Sequence, residues 1–236
     1  MKSAVVIVPT VASAHLTRAL DSVAAQTYPT RLLVVSDGLP KGTINVSGGN
    51  ADVLELPRNV GAKGFYGHRV YASVPHLVDE DYVFFLDEDN WYEPTHVESL
   101  ISTIENAGVT WGFSLRNVHD KTGFVCQDNC ESLGHHPVWT TLQAENKEFH
   151  VDTSAFAFRR EMLVQTCGSW HFGYGADRRF LKVLKGYGYS NFVCSGEYTL
   201  NYSLGSSQTS PKADYFKNGN EFYLKTTEGK LPWQRT

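Results

Sequence analysis

Three consecutive acids, Asp87-Glu88-Asp89, directly follow the apolar run from Tyr82 to Leu86. Adjacent carboxylates repel one another unless a positive charge sits among them, and their hard oxygens suit a divalent cation. The run before them is too short for an ordinary helix and rich in β-formers, which predicts a buried strand. In an open α/β sheet, ligands collect beyond the carboxyl ends of the strands, so acids at that edge are where a divalent cation carrying a phosphate would be held. The competing reading is an acidic turn that ends a strand and caps the helix beginning at Pro94-Thr95. A second acid, Asp37, ends the apolar run from Leu32 to Ser36. Between the two lies Arg58-Asn59-Val60-Gly61-Ala62-Lys63-Gly64, ahead of a helical stretch to about Leu77. Glycines and two cations before a helix N-terminus make either a phosphate cradle, through free amides and the helix dipole, or simply a glycine-rich turn.

Elements must hold these residues in place. Ala4 to Val8 is a continuous apolar run, the pattern of a central parallel strand covered on both faces, and Pro9-Thr10 breaks it. Helical spacing of Leu16, Ala19, Leu20 and Val23 follows, with Ser13 as a candidate cap. Val53 to Leu56 is a third short strand, Thr95 to Asn106 an amphipathic helix, and Val109 to Leu115 the next strand. Strand and helix alternate at βαβ lengths, which predicts an α/β fold with a mostly parallel central sheet flanked by helices. After residue 116 the rhythm changes. An Asp-Lys-Thr-Gly turn predicts a hairpin within Asn117 to Val125, and Gln127 to Pro137 is a polar loop. Val151 to Phe158 reads as a strand, with helices over Arg160 to Thr166 and Asp177 to Lys185. From Gly205 the composition shifts to Ser, Thr, Lys and Gly with scattered aromatics (Tyr215, Phe216, Phe222, Tyr223, Trp233), predicting a tail that is either a mobile flap or an arm docked through its aromatics.

The totals narrow the classes. At 236 residues the chain can bury a full core, and 21 Lys+Arg against 25 Asp+Glu give a net charge of −4, so no global basic field points to long duplex DNA. No stretch approaches the roughly 18 uninterrupted apolar residues of a membrane span, and the apolar run at 4–8 is too short for a signal-peptide core. Four cysteines without a secretion signal predict reduced thiols and a cytoplasmic location.

The strand ending in Pro9-Thr10, the second ending in Asp37-Gly38, Arg58-Asn59-Val60-Gly61 ahead of a helix, and the strand closing in Asp87-Glu88-Asp89 together resemble the GT-A fold of glycosyltransferase family 2. The resemblance covers roughly residues 3 to 200. It implies a GT-A domain over 1–204, with a nucleotide-sugar half at 1–116 and an acceptor half at 117–204, followed by a tail or flap at 205–236. The activity it implies is metal-dependent transfer from a nucleotide-diphosphate sugar, with a UDP-sugar as the expected donor, to an acceptor hydroxyl. That acceptor is expected to be a saccharide, with a protein side chain or a modified nucleic-acid base as alternatives. The backbone at Pro9 and Thr10 and the Asp37 carboxylate would hold base and ribose. Arg58 and Lys63 would reach the donor phosphates or stand as solvated charges. Asp87 and Asp89 would bind the Mn²⁺ or Mg²⁺ ion, while Glu88 would touch ribose or metal or be solvated. The base that deprotonates the acceptor would be Asp177, although Ala176 stands where the family's usual Glu-Asp pair has its Glu. An N-cap is the competing role for Asp177, and Asp152 is the second candidate acid. Acids on separate sides of the sugar imply inversion.

Other constellations compete. Cys126, Cys130, His135 and His136 form a loose zinc pattern, or unpaired thiols in a loop. Trp170-His171-Phe172 and Trp91-Tyr92 would stack on sugar or fill core. Two other classes also fit the acids: a nucleotidyltransferase, disfavoured because residues 9–14 carry no glycine, and a non-catalytic nucleotide or carbohydrate binding module.

Overall fold

The computed structural model describes residues 1–46, 50–205 and 210–231. The first half builds the parallel part of the sheet from β1 (Ala4–Thr10), β2 (Arg31–Asp37), β3 (Ala51–Leu56) and β4 (Tyr82–Phe85), with α1 (Leu16–Ala24) and α2 (His68–Ser73) between them. The strand order is β3-β2-β1-β4, all parallel, so the chain leaves β1 on one side and returns on the other. Such a reversal opens a crevice at the carboxyl edge beside the central strand. Every residue of β1 is buried, as its unbroken apolar run demands.

Beyond β4 the sheet becomes mixed. α3 (His96–Ala107) leads into β6 (Trp111–Asp120), which turns back as β7 (Gly123–Gln127) through the expected hairpin. β8 (Phe156–Arg159) is antiparallel to both β4 and β6 and stitches the halves together. β9 (Val193–Ser203) runs parallel to β6 and pairs at its outer edge with the two-residue β5 (Trp91–Tyr92). The parallel pairing expected of the sheet therefore runs through the first four strands and recurs between β6 and β9, while β5, β7 and β8 pair antiparallel. The α/β class and the flanking helices are as the sequence reads.

Two differences have local causes. The strand expected from Val151 begins only at Phe156, because the Asp152 carboxylate accepts the Ser154 N–H at 2.9 Å and winds 153–155 into a 3₁₀ turn. The aromatic-rich tail contains α6 (Ala213–Thr226), with Phe216, Gly219 and Tyr223 buried. A Cβ on Gly219 would meet Cys130 Sγ at 2.6 Å, so the helix backbone lies directly on the 127–137 loop. The Tyr223 hydroxyl donates to the Pro137 carbonyl and Asn220 Nδ2 to the Gln127 carbonyl. Residues 206–209 and Trp233, also read as tail, lie outside the described residues, as do residues 47–49 of the loop between β2 and β3.

An aromatic core joins the halves under the crevice. Trp170, in the turn after α4 (Arg160–Thr166), packs against Tyr71 of α2, Phe85 of β4, Phe156 of β8 and Phe180 of α5 (Ala176–Gly186). Among the described residues no disulfide forms, and no helix is long and apolar enough to cross a membrane.

Phe216 anchors α6 through complete burial, so Phe216→Ala is expected to destabilise the fold by about 3 kcal/mol, the usual scale for emptying such a site. Urea unfolding checks this, and a change below about 1 kcal/mol would mean that the helix is not part of the cooperative core.

Candidate active site

A cleft of about 640 Å³ opens at the carboxyl edge of β1, β2 and β4. Of the sequence-predicted residues, it brings together Pro9, Thr10, Asp37, Asp87, Glu88, Asp89, Asp152 and Asp177. Arg58 and Lys63 are exposed and do not line it, although their neighbours Asn59, Gly61 and Ala62 do.

On the 1–116 side, Asp37 is buried at the end of β2 and its two oxygens accept the Val60 and Gly61 N–H groups at 2.7 and 2.8 Å. The 58–64 segment is thus folded around this carboxylate. Gly61 is required there, since a Cβ would fall 2.2 Å from the Tyr66 carbonyl oxygen. Glu88 is neither free nor merely solvated. It accepts the Thr10 hydroxyl and the Val11 and Ser13 N–H groups, tying the loop after β1 to the acidic turn. Ala12 in that loop has φ +61°, a left-handed conformation uncommon for a residue with a side chain.

Asp87 receives a hydrogen bond from the buried Tyr71 hydroxyl at 2.8 Å, and Tyr71 is stacked on Phe85 at 4.3 Å between ring centres. Burial, with the charges of Asp89, Asp152 and Asp177 adding to it, pushes the Asp87 carboxyl up to about 8. The Asp89 carbonyl accepts from Arg18, whose guanidinium lies 3.6 Å over Trp91. Trp91 and Tyr92 do not line the cleft. Tyr92 is buried in a 3.7 Å stack with His96.

Facing the 117–204 half, the Arg116 guanidinium is buried among three of its carboxylates, with Asp128 at 2.7 Å and Glu131 and Asp152 each at 2.5 Å. Asp152 thus arrives already paired. Asp177 sits in the first turn of α5 with 24% of its side chain exposed. The cap position belongs to Gly175, which makes no side-chain cap bond, so the N-cap role does not fall to Asp177. Its carboxylate accepts His150 Nε2 at 2.8 Å and the Arg178 N–H at 2.7 Å. Burial alone would raise the Asp177 carboxyl. His150 and Arg178 together outweigh it and bring the group down to about 2. Arg178 also reaches Glu148 and Glu131, and Tyr174, 76% exposed, stands at the rim.

Arg116, His150, Glu131 and Tyr71 belong to the site without standing out in the sequence. A cation at the end of an apolar strand, followed within fifteen residues by Asp120, Asp128 and Glu131, is the one sign of Arg116 in the sequence. Nothing in the chain near His150 marks it. Trp170 is core, while His171 and Phe172 are exposed but outside the cleft lining. The loose zinc pattern does not converge. The Cys130 thiol faces Asp128 and the Phe216 carbonyl, and the His135 ring stacks on Phe192 at 4.0 Å.

The sequence profile of glycosyl transferase family 2 matches residues 5–166, the span that carries β1 to β8 and both acids at 87 and 89. The chain belongs to glycosyl transferase family 2. Solved structures similar to it include S. aureus TarS 1–349 in complex with UDP, at 16% identity and a TM-score of 0.60 over 86% of this chain and 60% of that one. The same TarS fragment in complex with UDP-GlcNAc matches with 16% identity and a TM-score of 0.60 over 87% and 60%. TarS 1–349 without a named ligand matches with 17% identity and a TM-score of 0.59 over 85% and 60%. The chain therefore spans about 60% of these TarS fragments, and the likeness is one of fold. No curated protein sequence matches the chain.

Family 2 membership raises the question of a divalent cation. Among the described residues no three His, Cys, Asp or Glu side chains gather to hold an ion by themselves. Asp87 and Asp89 still fit part of a shell, because Mg²⁺ and Mn²⁺ commonly take one or two carboxylates and complete their coordination with substrate phosphates and water. The raised Asp87 carboxyl also marks a surplus of negative charge that a cation would relieve.

This has a measurable sign. Folded Asp87 keeps its proton up to about pH 8, whereas an unfolded aspartate loses it near about 3.9. Between those values the folded state binds more protons, so stability falls as pH rises. Without divalent ions, Asp87→Asn is expected to melt higher than wild type at pH 8 and to lose that advantage toward pH 4. Thermal melts across pH check it, and a flat difference would refute the crowding of charge around Asp87.

Proposed function

We propose that the chain transfers a sugar from a UDP-sugar to a hydroxyl of a saccharide acceptor, with inversion at the anomeric carbon. The observation that carries this reading is the convergence of Asp37, Asp87 and Asp89 from one half and Asp177 from the other on a single cleft. Family 2 membership supports a glycosyltransferase, and the UDP and UDP-GlcNAc complexes of TarS support the donor class.

Asp37, with Pro9, Thr10, Gly61 and Tyr66 around it, shapes the end of the cleft that takes base and ribose. Its oxygens, already holding two amides, keep lone pairs for a ring N–H. A divalent cation held by Asp87 and Asp89 would supply Lewis acidity to the diphosphate leaving group. Asp177 takes the proton of the acceptor hydroxyl as that oxygen bonds to the anomeric carbon, while the electron pair of the breaking bond departs with the diphosphate. Tyr174, three residues earlier and exposed at the rim, offers an aromatic face to a sugar ring beside that base. Attack from the Asp177 side, opposite the leaving group, gives a single displacement.

The test is incubation with a panel of UDP-sugars, UDP-GlcNAc first, with Mn²⁺ and saccharide acceptors. Release of UDP is expected. Pyrophosphate instead would identify nucleotidyl transfer, and no turnover with retained UDP binding would leave a binding module. Asp177→Asn is expected to lower transfer by about 10²- to 10⁴-fold, the usual share of a general base, with donor Kd nearly unchanged. Asp89→Ala is expected to lose Mn²⁺-dependent donor binding in calorimetry, and unchanged affinity would remove the acid from that role.

A further inference from the structure

We propose that His150 is the positioning residue of the Asp177 base, holding the carboxylate toward the cleft through Nε2–H and silencing it when the imidazole takes a second proton at Nδ1. The inference rests on the reading of Asp177 as base. Three features of the geometry carry it. The two side chains meet at 2.8 Å, His150 lies behind with 6% of its side chain exposed, and Asp177 stands in front with 24%. Among the described residues His150 Nδ1 is buried and has no hydrogen-bond partner, so none of them fixes its protonation on that side. The Arg178 N–H on the other carboxylate oxygen completes the grip, so the rotation of Asp177 is restrained from two directions.

The charge environment decides the direction of the pH response. Glu131 from the 127–137 loop and Arg116 from β6 face His150 with opposite signs, Asp177 faces it from α5, and Arg178 of the same helix acts on Asp177 and Glu131. Asp177 in turn feels Asp87 and His68. Burial lowers the imidazole, but the Asp177 charge and hydrogen bond, with Glu131, outweigh it and raise His150 above the ordinary histidine value. When both nitrogens carry protons, a salt bridge neutralises Asp177 and its basicity is lost. When Nδ1 is bare, the same Nε2–H orients a carboxylate that is free to accept a proton. The acceptor O–H proton then passes to Asp177, and His150 keeps its own. Turnover therefore rises with pH through the His150 titration, not through that of a simple carboxylate.

Histidine-selective ¹⁵N NMR of the full chain, with the His150 signal assigned by its loss in His150→Gln, reads the titration directly. His150 is expected to titrate above about 6.5 in the wild type and to fall in Asp177→Asn. Identical titration in both proteins overturns the proposal. The second reading is the pH profile of UDP release from UDP-GlcNAc with water as acceptor and Mn²⁺ present. His150→Gln, which keeps an N–H donor and cannot charge, is expected to lower kcat about tenfold at pH 8, the scale of a weakened hydrogen bond to a charged group. It is also expected to leave the donor KM within twofold and to move the acidic limb to lower pH. An acidic limb unchanged in His150→Gln overturns the positioning role alone. Wild-type rates in Asp177→Asn overturn the base reading as well.

Discussion

The structure turns on a problem of charge. Asp87, Asp89, Asp152 and Asp177 line one cleft, where low exposure strengthens their repulsion. Each acid with described contacts meets a different answer. Asp152 is matched by the buried Arg116, which also serves Asp128 and Glu131. Asp177 is matched by His150 and the Arg178 amide. Among the described residues Asp87 has the Tyr71 hydroxyl as the donor to its carboxylate, and burial with the charges of Asp89 and Asp152 outweighs that bond and keeps its proton to higher pH. The Asp87 carboxyl is therefore less well balanced than those of Asp152 and Asp177, which divides the cleft electrostatically.

The fold makes this division possible. Parallel strands deliver Thr10, Asp37 and Asp87 to one edge, and the strand reversal beside β1 leaves room between them. Antiparallel β8 then brings the second half against β4, and the Asp152 turn that precedes it enters the cleft from the far side. α5 starts at the same rim, so that Asp177 in its first turn faces the acids of the other half. Trp170 and the aromatics around it fix the spacing of the two halves from below. α6 is tied into the same frame, because the Tyr215 hydroxyl donates to Glu131, one of the acids held by Arg116.

Residues 4–8, 32–36 and 82–86 announce buried strands because nothing polar interrupts them, and the acids after the second and third announce the edge at which they end. That much of the site was legible. β9 shows no clear strand pattern in the sequence, because Ser195, Gly196 and Glu197 dilute its apolar residues, and its pairing with β6 and β5 comes from long-range contacts. The aromatics of α6 predict an arm that could dock, but its helix is not evident from composition, although Phe216, Gly219 and Tyr223 fall on one helical face. The partners of the acids were hidden for a different reason. Arg116 lies 36 residues from Asp152, and His150 lies 27 from Asp177, so the pairs exist only once the chain has folded.

The middle acid of the triplet has an effect that the outer two do not share. By fastening the Thr10 hydroxyl and two amides of the following loop, Glu88 lets Ala12 stay in its unfavourable backbone state before any ligand arrives. The ordering entropy of that loop is spent during folding and not during capture. A guest entering between Thr10 and Asp87 thus meets a wall already set, and its affinity is not reduced by having to arrange one.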